Sequence, residues 1–107
     1  MSETELSASI RGALVANGFW VIRQQSRGRT GRRSFGAGEP GIPDLQIVGI
    51  GRGWLEVKTD TGVLSPEQIG WHLRATREGE RVAVVRSIRE ALVHALQWRR
   101  TDERKRA

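Results

Sequence analysis

The stretch that decides the fold is residues 41–68, GIPDLQIVGIGRGWLEVKTDTGVLSPEQ. Two apolar runs flank a glycine-rich turn at 49–53, which predicts an antiparallel hairpin of strands at 43–49 and 54–59. Ser65, Pro66 and Gln68 then provide an N-cap, a first-turn proline and a third-position glutamine, which are helix-start signals. The stretch therefore predicts two paired strands that lead directly into a helix.

The rest of the chain extends this unit in both directions. Periodicity predicts a helix at 4–17 and a strand at 19–23 upstream, and a helix at 65–78, a strand at 81–86 and a helix at 88–98 downstream. The strand–helix–strand crossover makes strands 54–59 and 81–86 parallel. We expect one α/β domain over residues 1–98, with a mixed β-sheet flanked by helices in the order α-β-β-β-α-β-α. The charged tail at 99–107 is expected to fray.

Composition narrows the classes of protein that fit. The 107 residues have room for one modest core, and the lack of cysteine excludes disulfides and thiolate metal sites. No apolar run reaches membrane-spanning length, and the first residues do not have the pattern of a signal peptide. We therefore expect a cytoplasmic protein without a membrane partner.

The positive charge is concentrated in one segment. The chain has 18 Lys and Arg against 12 Asp and Glu, a net charge of +6. No acidic residue lies between Leu6 and Gly38, and a long glycine-rich loop is predicted at 26–41. Guanidinium groups on such a loop suit phosphates, so we expect nucleic acid to bind there, although a solvated loop that only aids solubility is the alternative. The arginines expected to bind are Arg23, Arg27, Arg29, Arg32 and Arg33.

Two carboxylates and a lysine are brought together by the predicted hairpin. Side chains alternate along a strand, so Glu56 and Lys58 share a face. A turn around residue 50 or 51 places Asp44 opposite Glu56 or Lys58, with Cβ atoms about 5 Å apart. Two carboxylates can share a hard divalent cation, to which the Val57 carbonyl can add an oxygen, and Lys58 can orient a water molecule. Each residue taken alone has a structural explanation, since exposed strands often alternate Glu and Lys, and Asp is common in turns.

The same residues resemble a known nuclease signature. Gly41-Ile42-Pro43-Asp44 followed by Glu56-Val57-Lys58 resembles the motif of the PD-(D/E)XK nuclease superfamily. Further matches make the chain similar to the VRR-NUC family, particularly its small stand-alone phage members, from residue 3 to about residue 91. These matches are Gly62, Ser65-Pro66-x-Gln68, His72 and the segment 79–87.

The resemblance implies a restriction-endonuclease-like core that hydrolyses phosphodiester bonds with Mg2+ or Mn2+. It implies that Asp44 and Glu56 are metal ligands, that Lys58 positions water and that Gln68 lies near the site. Relatives commonly add an acid from the first helix, and Glu3 fits this role best. Glu5 is the alternative acid, but Ser2 and Glu5 have the spacing of a capping box, which explains Glu5 structurally. Gln68 has two equally weighted roles, one near the site and one in a capping box with Ser65.

The resemblance further implies a homodimer that cleaves branched DNA, such as four-way (Holliday) junctions, in the cytoplasm of a bacterium or of a phage's host. Two alternatives stay open: a non-catalytic nucleic-acid-binding module, and a nuclease of the same fold that cuts linear or damaged duplex or RNA. His72 and the four tryptophans are predicted to be core or interface residues.

Overall fold

The computed structural model describes residues 1–24 and 39–107. Its elements follow the predicted order, which confirms an α/β fold with a mixed four-stranded sheet flanked by helices. Most of the predicted loop at 26–41 lies outside the described residues. Within them, none of the helices combines the length and the apolar character needed to cross a membrane. The elements are α1 (Glu3–Ala16), β1 (Trp20–Arg23), β2 (Leu45–Val48), β3 (Gly53–Val57), α2 (Pro66–Arg77), β4 (Val82–Val85) and α3 (Ile88–Arg106).

The strands lie side by side in the order β1-β2-β3-β4. The β1–β2 and β2–β3 pairs are antiparallel and the β3–β4 pair is parallel, so the predicted hairpin and the predicted crossover are both confirmed. The turn of the hairpin uses Gly49 and Gly51, whose positive φ angles of 84° and 83° are costly for residues with a side chain.

One face of the sheet forms the core together with α1 and α3. Because strand side chains alternate, every second residue of the central strands faces these helices and is removed from water. The residues that are at most 1% exposed here are Ile10, Leu14, Leu45, Ile47, Leu55, Val57, Val85, Ala91 and Ala95. This core fixes the positions of β2 and β3, whose outer ends carry the predicted site.

The prediction of a frayed tail after residue 98 is wrong, because α3 continues to Arg106. Asp102 accepts two hydrogen bonds from the Arg81 guanidinium, at 2.6 and 3.0 Å, and a third from the Gly51 amide at 2.7 Å. These contacts join the last turns of α3 to β4 and to the hairpin turn. Charged residues do not prevent the helix, since Arg, Lys and Glu favour helices and cations suit a helix C-terminus.

The predicted inner face of α2 is also wrong. The spacing of Ile69, His72, Leu73 and Thr76 predicts that they share one inner face of the helix. Ile69 and Leu73 are instead 47% and 63% exposed, and Ala75 is the only buried residue of this helix. The helix turns its polar Gln68–His72 side toward the end of β3 instead. Tertiary contacts at this end of the sheet therefore override the apolar pattern of the helix.

Candidate functional site

Asp44 and Glu56 lie opposite each other at the ends of neighbouring strands. Leu45 pairs with Leu55 in the β2–β3 ladder, so the next pair outward is Asp44 and Glu56. The Oδ2 atom of Asp44 accepts a hydrogen bond of 2.8 Å from the Val57 amide, which fixes this carboxylate against β3. Of the two partners that the sequence allowed for Asp44, the structure selects Glu56.

Glu56 is a nearly buried carboxyl group, only 1% exposed. Burial raises its pKa to about 9, with further contributions from the hydrogen bond and charge of Asp44, while the charge of Lys58 acts in the opposite direction. Without a cation, the Glu56 carboxyl group therefore keeps its proton near neutral pH. A divalent cation would replace that proton and relieve the repulsion between the two carboxylates.

Lys58 follows the last residue of β3 and lies on the same side as Glu56. Its side chain is 8% exposed, and within residues 1–24 and 39–107 its ammonium group makes no hydrogen bond or ion pair. The following loop packs on its stem, since a Cβ atom at Gly62 would come within 3.3 Å of Lys58 Cδ. Arg86 holds this loop by donating to the carbonyl oxygens of Thr59 and Gly62.

The Val57 carbonyl is directed toward the same side as Asp44. In a strand, the N–H and C=O groups of one residue face the same neighbouring strand. The Val57 N–H reaches Asp44, whereas the Lys58 N–H reaches the Val85 carbonyl of β4. The predicted backbone ligand thus faces the two-carboxylate end of the hairpin.

Gln68 takes part in the helix cap and contacts the site at the same time. Its side-chain Oε1 atom accepts a 2.8 Å hydrogen bond from the backbone N–H of Ser65, and the backbone N–H of Gln68 donates to Ser65 Oγ. These two hydrogen bonds confirm the predicted capping box. With its oxygen fixed by the cap, the side-chain nitrogen faces Glu56 and lies 3.4 Å from Oε2. The two roles that the sequence offered for Gln68 are therefore compatible.

Glu3 and Glu5 have different surroundings, which indicate different roles. Glu5 completes a capping box with Ser2, and its hydrogen bonds with the Ser2 backbone and side chain lower its pKa. Glu3 is half-buried and lines the same cleft as Asp44. Besides burial and Asp44, the charge of Glu3 also raises the pKa of Glu56.

A polar cleft of about 430 Å³ opens beside these groups. Glu3, Arg23, Asp44 and Gln68 are among its lining residues, whereas Glu56 and Lys58, whose side chains are almost fully buried, are not. The rest of the described lining comprises Thr4, Ser7, Gln24, Glu39, Pro40, Gly41, Ile42, Ser65 and Glu67. Of the five arginines predicted to bind nucleic acid, Arg23 is therefore at the cleft. Arg27, Arg29, Arg32 and Arg33 lie outside the described residues.

Gly41 brings the loop before β2 against the start of α2. Its φ of 83° is unfavourable for any residue with a side chain, and a Cβ atom here would collide with the carbonyl of Glu67. The glycine of the Gly-Ile-Pro-Asp motif is thus required by close packing beside the cleft.

The donor atoms suit a hard cation that keeps part of its water shell. Among residues 1–24 and 39–107, no three His, Cys, Asp or Glu side chains are grouped to hold a metal ion. Mg2+ is usually bound by one or two carboxylates, with waters and substrate phosphates completing its octahedron. Asp44, Glu56 and the Val57 carbonyl would offer oxygen donors of the kind that Mg2+ and Mn2+ take, rather than the N and S ligands of a tetrahedral zinc site.

His72 is a candidate that the sequence prediction missed. It was expected in the core or at an interface, but its Nε2 atom lies 3.3 Å from Oε1 of Glu56. Burial, followed by the charge of Lys58, lowers the pKa of His72, which favours the neutral imidazole. The available signal was its spacing of four residues from Gln68, which places both side chains on one helix face.

Comparison of the chain with protein-family models, with curated proteins and with solved structures gave no match. The similarity to VRR-NUC nucleases therefore stays a prediction that rests on the motif residues.

Proposed function

We propose that this protein is a divalent-metal-dependent DNA endonuclease of the PD-(D/E)XK superfamily, similar to stand-alone VRR-NUC enzymes. The observation that carries the proposal is the register of β2 and β3, which sets Asp44 opposite Glu56 with Lys58 on the same side. A buried acid with a raised pKa, next to a second carboxylate and a lysine, is costly for the fold, and groups with perturbed pKa values cluster at functional sites.

Asp44, Glu56 and the Val57 carbonyl would hold Mg2+ or Mn2+, with Glu3 acting through water. When bound, the cation lowers the pKa of a water ligand and offsets charge on the phosphate. The Val57 amide orients Asp44, and the Gln68 side chain lies beside Glu56. The chain thus supplies preformed ligands, which reduces the reorganisation needed to reach the reactive geometry.

Lys58 orients the attacking water or neutralises charge that develops on the phosphate. Its stem is held by the loop that Arg86 fixes, so the ammonium group is positioned before substrate arrives. Gln68 contributes a side-chain N–H beside Glu56.

The proposed substrate is DNA, bound mainly through its phosphates. Arg23 stands at the cleft, and Arg27, Arg29, Arg32 and Arg33 follow it in sequence. Phosphate contacts position a duplex and carry little sequence information, so recognition is by shape. Branched DNA, such as a four-way junction, and a homodimer with two sites come from the resemblance alone, although closed two-fold symmetry suits paired cuts.

A panel of labelled substrates tests the proposal. Junction, flap, linear duplex and RNA are incubated with Mg2+, Mn2+ or chelator, and the wild type is compared with the Lys58→Ala variant. We expect metal-dependent cleavage that is fastest on branched DNA and is strongly reduced in the variant.

The panel also separates the alternatives. Binding that weakens steeply with salt, without any cleavage, would leave a non-catalytic binding module. If linear duplex or RNA is cleaved preferentially, the proposed metal-dependent hydrolysis stands, but branched DNA is not the preferred substrate.

A further inference from the structure

Helix α2 contacts both oxygens of the Glu56 carboxylate. The Gln68 Nε2 atom lies 3.4 Å from Oε2, and the His72 Nε2 atom lies 3.3 Å from Oε1. The two side chains are one helical turn apart, so a single helix face presents two nitrogen atoms to one carboxyl group. We call Gln68 and His72 together the α2 clamp.

The clamp is held at its N-terminal end by the helix cap. The Ser65 amide fixes Gln68 Oε1, and Pro66 begins the helix with a suitable φ. The distance of Gln68 from Glu56 is thus set by the same hydrogen bonds that begin α2.

Trp71 fixes the helix next to His72. Its indole N–H donates to Glu39 at 2.9 Å, and its ring meets Trp54 of β3 edge-on with centroids 4.9 Å apart. The His72 ring stands edge-on to Trp71 as well, at 6.3 Å. Both ends of the clamp are therefore supported by neighbouring contacts.

We infer that His72 is a positioning residue that donates its Nε2–H to Glu56 Oε1 and so orients this carboxylate for the metal ion. The inference rests on the proposed function, because it assumes that Glu56 is a ligand. A carboxylate oxygen has two lone pairs, so each oxygen keeps one for a cation after accepting one hydrogen bond. Both contacts are slightly longer than the usual N–H···O range of about 2.7–3.2 Å, as hydrogen bonds in active sites often are before substrate binds.

The role requires a donor at a particular place. Ligating carboxylates are commonly held by outer hydrogen bonds, and loss of such a partner typically lowers metal affinity by about 10- to 100-fold. A glutamine amide nitrogen extends about as far from the backbone as histidine Nε2, whereas an asparagine is shorter. His72→Gln should therefore retain much of the function, and His72→Asn should not.

Calorimetric titration with Mn2+ in the absence of nucleic acid tests this inference. The variants are His72→Ala, His72→Gln and His72→Asn, and the matched control is His94→Ala. His94 is the other histidine of the chain and packs near Trp98 on α3, with ring centroids 5.7 Å apart. We expect His72→Ala and His72→Asn to weaken Mn2+ binding about 10- to 100-fold, with His72→Gln close to the wild type and the control unchanged.

Each other result overturns the inference in a recognisable way. If His72→Ala binds Mn2+ like the wild type, His72 does not position Glu56, although the nuclease proposal stands. If His72→Gln and His72→Asn bind equally, the Nε2 position is irrelevant, and this pair decides the matter even where His72→Ala fails to fold. If the wild type itself binds no Mn2+, the metal site of the proposed function fails and this inference fails with it.

Discussion

Replacing Glu56 by glutamine is expected to stabilise the metal-free protein above neutral pH. The wild-type carboxyl group is 1% exposed, and burial next to Asp44 raises its pKa from 4.5 to about 9. Between these two values the native state holds a proton that the unfolded chain has lost. The free energy of unfolding therefore falls as pH rises through this window, by about 1.4 kcal/mol per pH unit.

The size of the effect follows from the pH interval. From about pH 7 to about pH 8.5 the wild type should lose roughly 2 kcal/mol of stability through this one group. The lowered pKa of His72 changes the free energy of unfolding only below about pH 6.5, the ordinary pKa of histidine. His72 therefore does not contribute between about pH 7 and about pH 8.5. Glutamine resembles the protonated acid and does not titrate, so the variant should lose this pH dependence.

Urea unfolding at these two pH values, with chelator present, measures the pH dependence of the wild type's stability and the stability of Glu56→Gln. Glu103→Gln is the control, because Glu103 is an exposed carboxylate on α3. We expect Glu56→Gln to be more stable than the wild type at the higher pH and the control to change little. A wild type that is equally stable at both pH values, together with a Glu56→Gln variant that is not stabilised, would refute the account of the buried acid.

Two further variants test contacts that support the site. Asp102→Ala removes the paired hydrogen bonds from Arg81 and should cost about 2 kcal/mol in urea unfolding. The hydrogen bond from Arg81 is the main reason that the pKa of Asp102 is lowered to about 2. The stability difference between the wild type and Asp102→Ala is therefore present above about pH 4 and is lost as pH falls through about 2. If the variant were as stable as the wild type at neutral pH, the end of α3 would be frayed. Gly41→Ala should cost about 2 kcal/mol or more, because of its positive φ and the collision with Glu67. Gly70 lies in α2 with open space where a Cβ atom would lie, so Gly70→Ala should stabilise the protein by about 0.5–1 kcal/mol. Equal changes in melting temperature for Gly41→Ala and Gly70→Ala would contradict this explanation.

Local signals in the sequence predicted the order of the elements well. The glycine turn of the hairpin and the capping boxes at Ser2 and Ser65 act within a few residues, so they can be recognised without knowledge of the fold. The same signals identified Asp44 and Glu56 as neighbours. They did not distinguish Glu56 from Lys58 as the partner of Asp44, because register depends on the exact residues at the turn.

Long-range contacts account for the parts that were predicted wrongly. The end of α3 depends on a hydrogen-bonded pair between Asp102 and Arg81, residues that are distant in sequence. The role of His72 depends on which side of α2 meets β3, and the exposed Leu73 made the apolar side look like the inner one. Periodicity identifies the faces of a helix, but packing decides which face is buried.

The most direct test of metal-dependent hydrolysis at this site is the single-turnover cleavage rate of Asp44→Asn. The asparagine oxygen can still accept the Val57 hydrogen bond, so the fold is retained while one metal ligand loses its charge. On the DNA that the wild type cleaves fastest with Mg2+, we expect the Asp44→Asn rate to be lower by roughly 100-fold or more, with DNA binding retained. Cleavage by Asp44→Asn at the wild-type rate would contradict metal-dependent hydrolysis at this site.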